Sequence, residues 1–205
     1  WIGPDWARRR ASGKRIIWRT VGQSVEDNER LMAPLRDEGL EIIRYSPKER
    51  NIPGYAGEDA LIRFYKDPSE WYGWTGEDPV VANVTQSLLE RDPFTNARFW
   101  LEATEGLLAK PAGPGSEHLP GGVGTLTYDE MRAYLRSSRC YLYTGTQPAS
   151  YTLGLIEAMM TGVPVVSIGP SWMNIFPYGS EMFEGHELAV WGFDDPTQAS
   201  YMLDK

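Results

Sequence analysis

The sequence predicts an α/β protein whose parallel sheet is covered by helices on both faces, with part of a second such unit before it. Two observations carry this. Short β-branched runs alternate with helical stretches along the whole chain, and chains that alternate in this way fold as parallel sheets between helix layers. The alternation also stops in a turn-rich stretch, Asp67–Asp78, and then restarts. No internal repeat is visible.

Each element has a local reason. Lys14–Val21 reads as a strand. Ser24 is placed to cap a helix running to Glu38, with Glu26 and Asp27 in its first turn and Gly39 as its stop. Leu40–Tyr45 is a second strand, ended by Ser46-Pro47. Lys48–Asp59 is rich in Gly and Pro and reads as a loop. Ala60–Tyr65 is a third, short strand. After the turn-rich stretch, Pro79–Gln86 is a strand and Asp92–Leu108 a helix. Lys110–Gly122 is a loop, followed by an apolar step at Val123–Leu126. Thr127 caps a helix over Tyr128–Ser137, with Asp129 and Glu130 in its first turn. Arg139–Thr144 is the next strand. Leu153, Leu155, Ile156 and Met160 then recur at helical spacing, Gly162 stops that helix, and Val163–Ile168 is a buried strand. Leu188–Trp191 is a last strand and Pro196–Lys205 a last helix. The composition shift places the domain boundary so that residues 1–77 form a partial first domain and residues 78–205 the second.

Bulk properties exclude several classes. A chain of 205 residues that is 41% apolar holds one large or two small domains with a real core. A net charge of −8 argues against nucleic acid as a partner, because phosphate neutralisation needs clustered Lys and Arg. The short basic cluster Arg8–Arg10, with Lys14 and Arg15, reads as a solvated, membrane-proximal or partner-facing helix end, which leaves peripheral membrane contact open. The single cysteine, Cys140, reads as a small core residue, and no disulfide framework is available. That fits a reducing, cytoplasmic setting. No apolar run reaches the length of a membrane span. The chain opens at Trp1 without Met or a signal-peptide pattern and ends inside a predicted helix, so both ends are expected to continue into a longer protein.

The chemistry concentrates in residues 144–168. A helix that starts under a small polar loop turns its first N–H groups outward, and its dipole favours negative charge. The backbone of Tyr151, Thr152, Leu153 and Gly154 is therefore a candidate phosphate cradle. Glu157 follows in the same helix, flanked by Ile156, Ala158 and Met159. A buried acid needs a partner. A ligand with phosphates at one end and hydroxyls further along suits both features. Arg91 lies just past the strand Pro79–Gln86, at the sheet edge where α/β proteins bind ligands. It offers forked hydrogen bonds to a diphosphate and a fixed positive charge for a leaving group. Thr146 and Gln147 sit between the preceding strand and the loop. The bland alternatives are a solvated Arg91, a plain strand–helix connection, and a Glu157 paired with a nearby Lys or Arg. Other features carry less. His118 and His186 read as solvated loop residues, with no spacing for a metal site. Gly121–Gly124 reads as a turn, Asn83-Val-Thr85 as a glycosylation sequon lost in a buried strand, Met159-Met160 as core, and Trp71–Trp74 as interdomain packing.

The run Ser150-Tyr-Thr-Leu-Gly-Leu-Ile-Glu-Ala-Met-Met-Thr-Gly-Val-Pro-Val-Val resembles the donor-nucleotide segment of retaining GT-B glycosyltransferases, above all family 4. That family writes Glu-x7-Glu, ending in Glu-Ala-Met/Leu-Ala-x-Gly-x-Pro-Val-Val. The second Glu is Glu157, and the first falls on Ala149. Ile62-Arg-Phe-Tyr-Lys-Asp-Pro-Ser-Glu-Trp-Tyr-Gly-Trp resembles the family's interdomain segment. Val84-Thr-Gln-Ser-Leu-Leu-Glu-Arg-Asp resembles Val-Gly-Arg-Leu-x-x-x-Lys-Gly, which puts Gln86 on the family's Arg and Arg91 on its Lys. The resemblance covers residues 60–205; residues 14–59 match in rhythm alone, as the last strands of an acceptor domain.

The resemblance implies a GT-B type fold of Rossmann-like domains. It implies a retaining hexosyltransferase-type enzyme that uses a nucleotide-diphosphate sugar without metal or cofactor. By the same resemblance Glu157 binds the ribose, and Gln86, Arg91, Thr146 and residues 151–154 surround the donor. The acceptor and the catalytic group are not legible. Ala149 and Gln86 in place of charged family residues leave a second reading, a non-catalytic nucleotide-binding or interaction module.

Overall fold

The structure, a computed structural model, describes residues 5–22, 24–169, 171–172, 178, 181 and 191–205. The chain divides into two compact units, Trp1–Arg63 and Phe64–Lys205.

The first unit contains α1 (Trp6–Ala11), β1 (Ile16–Arg19), α2 (Glu26–Asp37), β2 (Leu40–Arg44) and the short β3 (Ala60–Leu61). Its three strands are all parallel in the order β1-β2-β3. Leu40 and Ile42 alternate inward along β2 and pack with Trp6 and Met32, and Ile16, Trp18 and Leu35 close the cluster. Two local details differ from the sequence reading. The cap position of α2 falls on Val25, without a side-chain bond, while Ser24 is buried. The predicted loop over 48–59 opens with a 3-10 turn, Pro47–Asn51. Ser46 and Glu49 cap it reciprocally, a short-range box that the Pro-rich composition hid.

The second unit contains β4 (Asp78–Val84), α3 (Ala97–Ala103), β5 (Ala109–Ala112), α4 (Tyr128–Ser137), β6 (Ser138–Tyr143), α5 (Leu153–Thr161), β7 (Val165–Ile168), β8 (Trp191–Phe193) and α6 (Pro196–Asp204). The five strands are all parallel in the order β5-β4-β6-β7-β8. Every residue of β7 is buried, and nearly every residue of β6, so both faces of the sheet are covered. The covering helices pair as α3 with α6 and α4 with α5. Thr127 caps α4 with Glu130 as expected, Asp195 caps α6, and Gly162 ends α5 at φ +92°.

Three expectations are corrected here. The predicted helix Asp92–Leu108 is only Ala97–Ala103, because Asn96 starts it from a left-handed φ of +54° and residues 85–96 form turns. The predicted loop Lys110–Gly122 begins with strand residues. Pro111 masks β5, which tolerates it because it is the edge strand. The last strand starts at Trp191 rather than ending there, and Leu188–Val190 lie outside the described residues.

Within the second unit, residues 64–77 pack against α4, β6 and α5. Trp74 N–H donates to Thr161 O and its indole N–H to Ser138 O, at 3.1 and 2.8 Å. The Arg136 guanidinium donates to the Tyr72 and Glu70 carbonyls. Trp71 is buried against Tyr128 of α4. Cys140 is buried core, and burial pushes its thiol up. Asn83 of the sequon is buried within β4.

Candidate functional site

Counted within the second unit, the strand order is 2-1-3-4-5. In such sheets the chain leaves the first strand in both directions, and the crevice beyond the strand ends at that reversal is where ligands bind. Here the crevice lies past β4 and β6. Its rim consists of residues 85–96 after β4 and 144–152 after β6.

Hydrogen bonds tie the two rims together. Asn96 Nδ2 donates to Thr144 O at 2.8 Å, and Gln147 N–H donates to Phe94 O at 2.7 Å. Within the first rim, buried Thr95 donates to Leu88 O at 2.6 Å. The segment after β5 braces it from the other side, with Ser87 N–H on Pro114 O at 2.7 Å. Gly113 permits this approach: a Cβ there would lie 2.7 Å from Thr85 O.

The start of α5 is set by three neighbouring residues. Thr152 is the N-cap, its hydroxyl accepting from Leu155 N–H at 3.4 Å. Leu153 is exposed. Gly154 is buried against β4, and a Cβ there would lie 3.1 Å from Val84 Cβ and 3.2 Å from the Tyr141 hydroxyl. Gly154 thus lets the helix begin directly against the exit of β4. Burial pushes the Tyr141 hydroxyl up, and the Glu157 charge adds to this, so it stays protonated. Tyr151 is buried. Its hydroxyl accepts from Phe64 N–H at 3.2 Å, and its ring meets Phe64 edge to face at 5.5 Å.

Arg91 is half-buried and turns back toward the strand it follows, with Nη1 3.5 Å from Gln86 O. Gln86 lies two residues past Val84, so the guanidinium and the start of α5 share the β4 exit. The Gln86 side chain is exposed. Thr146 is half-buried, and its hydroxyl donates to Gly145 O at 2.8 Å. Ala149 is buried.

Glu157 has the partner that a half-buried acid requires. Lys66 Nζ lies 2.5 Å from its Oε1, with the two side chains 20% and 12% exposed. Sequence reasoning missed Lys66. It falls in a turn-rich run with no periodicity, and only its four-residue distance from the resemblance to the interdomain motif's start at Ile62 marked the segment. Asn96 and Tyr141 were missed as well, since nothing in a sequence announces a left-handed asparagine or a tyrosine aimed along a sheet.

His118 is exposed, and His186 lies outside the described residues. Among the described residues no three His, Cys, Asp or Glu side chains are placed to hold a metal ion, and no helix is long and apolar enough to cross a membrane. A cleft of about 730 Å³ opens at the other end of the sheet, at the starts of β6 and β7, between Arg139, Val163, Pro164, Met202 and Leu203. It is apolar and far along the strands from the rims described above.

The sequence matches no known family profile and no curated protein. Its fold is similar to that of Anabaena Alr3699/HepE in complex with UDP-glucose, at a TM-score of 0.71 and 11% identity, covering 97% of this chain and 64% of that one. The complex of the same protein with UDP and glucose gives 0.69 at 11% identity, over 97% of this chain and 64% of that one. A variant of S. aureus TarM in complex with fondaparinux, alpha-GlcNAc-glycerol and UDP gives 0.62 at 14% identity, over 92% and 43%. Likeness at such identity concerns the fold: Rossmann-like parallel sheets flanked by helices, as in GT-B proteins. The chain spans less than two thirds of the length of these structures.

Proposed function

We propose that this chain carries the nucleotide-sugar half of a retaining, family 4-like GT-B glycosyltransferase. Residues 78–205 form the donor-binding domain in this reading, and residues 1–77 supply part of the acceptor-side domain and the interdomain segment, whose stretch from Phe64 packs with the donor domain. The supporting observation is the start of α5, seated by Gly154 against the β4 exit at the sheet's reversal, with Arg91 at the same exit. The amides of residues 152–154 and the Arg91 guanidinium receive the diphosphate. Glu157 accepts the ribose hydroxyls. Gln86, Thr146 and the backbone at Tyr151 border the donor. Uridine is the base to try first, because HepE and TarM were solved with UDP or UDP-glucose.

When the sugar leaves, negative charge grows on the diphosphate. A helix N-terminus and a guanidinium already in place stabilise that charge without having to reorganise, so the reading calls for no metal. With Ala149 where the family has an acid, the sugar's hydroxyls must be held by other groups. The acceptor is a glycan or small molecule, the setting is cytoplasmic, and neither nucleic acid nor a resident cofactor is required.

The test is to titrate UDP-, GDP- and ADP-glucose against the chain while following its melting temperature. A ligand that binds the folded state alone raises it by mass action. Arg91→Ala and Glu157→Ala are each expected to weaken binding about tenfold or more, since both remove charge-assisted hydrogen bonds. If neither change alters the affinity, the site is misassigned. If no sugar nucleotide binds, the proposal fails. Binding with neither transfer nor hydrolysis favours a non-catalytic module.

A further inference from the structure

The Glu157 carboxylate is held by a group outside the predicted site. Lys66 Nζ, 2.5 Å from Glu157 Oε1, also lies 5.2 Å from the Trp71 ring centroid and 5.4 Å from that of Tyr128. Those two rings hold each other. Trp71 is 1% exposed, and its indole N–H donates to the Tyr128 hydroxyl at 2.9 Å. The Tyr128 hydroxyl in turn donates to Glu70 at 2.7 Å, and the rings meet edge to face at 5.4 Å. An ammonium held on two aromatic faces loses little by leaving water, and it is pinned in place. A half-buried carboxylate is costly unless a counter-charge meets it. Lys66 supplies that charge through one oxygen, and among the described residues no donor meets Oε2.

We propose that Lys66 is a positioning residue that fixes the orientation of Glu157, so that its second oxygen reads the vicinal hydroxyls of a ribonucleotide. The inference rests on the nucleotide reading above and adds a specificity to it: the site selects ribose over deoxyribose. A carboxylate held in place makes a strong bond to a hydroxyl, and a loose one makes a weaker bond. The Trp71–Tyr128 platform thereby acts on the ligand through Lys66 without touching it.

The experiment compares UDP, GDP and ADP with their 2′,3′-dideoxy counterparts by calorimetry on the full chain. The wild type is expected to prefer the ribonucleotide by about tenfold, the loss expected when a charged acceptor is deprived of its donors. Lys66→Met should bring that ratio close to one, Lys66→Arg should restore most of it, and Glu157→Gln should collapse it as Lys66→Met does. Melting temperatures without nucleotide are measured in parallel. A purely structural Lys66 would weaken both nucleotides alike and leave the ratio unchanged, and that result overturns the proposal. Should Lys66→Met not fold, Lys66→Gln carries the same comparison. A wild type that binds nucleotide with a ratio near one overturns the proposal alone. A wild type that binds no nucleotide overturns the function itself.

Discussion

Arg44 shows how much of this chain is decided by single side chains. Its guanidinium is fully buried and grips Glu29 with two parallel bonds of 2.6 and 2.7 Å. It also donates to Gly57 O and lies 5.0 Å from the Trp18 ring centroid and 4.7 Å from that of Tyr55. Burial pulls the Glu29 carboxyl up. The Arg44 fork and the Ala56 N–H outweigh this and leave it below its usual range. An acid whose folded pKa is lowered stabilises above its unfolded pKa, and that stability is lost as pH falls through the folded value. Arg44→Met should therefore cost about 3–5 kcal/mol by urea unfolding near neutral pH, because it strands a buried carboxylate. Glu29→Gln should flatten the decline in stability as pH falls through the carboxylate range. None of this was legible, since nothing in the strand Leu40–Tyr45 or the helix before it marks Arg44 and Glu29 as a buried pair. The same blindness hid Lys66. A sequence shows that Glu157 needs a partner but not which cation reaches it.

Among the elements, α5 was read most fully. Its apolar spacing, glycine stop and following strand all lie within 25 residues and agree with one another, and the structure repeats them and adds Thr152 as the cap. The candidate cradle was legible for the same reason, because its features are local. What stayed hidden was why Gly154 is glycine. Alanine there would gain up to about 1 kcal/mol of helix propensity, so propensity alone does not call for it. The near contact with Val84 and Tyr141 does. Gly154→Val should cost about 1–3 kcal/mol through overpacking and weaken nucleotide binding by displacing the first turn. Thr152→Ala should cost about 1 kcal/mol for the lost cap. Paired thermal melts with and without UDP separate the two effects. In contrast, α3 and β5 were misread because their signals are not local. A left-handed Asn96 and an edge-strand Pro111 are set by what the chain packs against.

For the whole molecule, the alternation of strands and helices was enough to give parallel sheets. Their order was not legible, because β4 finds β6 across an intervening strand and two helices. The contacts that join residues 64–77 to the rest of the second unit run over 50 residues or more in sequence, as Trp71 to Tyr128 and Trp74 to Ser138 do. A fragment of residues 64–205 should therefore unfold in urea as one cooperative transition and keep the ribose preference. A fragment of residues 78–205 lacks Lys66 and Trp71. It should unfold at lower denaturant and bind ribo- and dideoxynucleotides equally, as circular dichroism and calorimetry would show. Pro111 has a consequence at this scale too. The border strand it occupies offers no N–H at that residue, and the chain at Val123 and Gly124 already lies alongside, with Val123 N–H on Pro111 O and Gly113 N–H on Gly124 O. A second copy thus finds no open ladder to extend there, and this margin of the molecule is guarded against strand-to-strand aggregation.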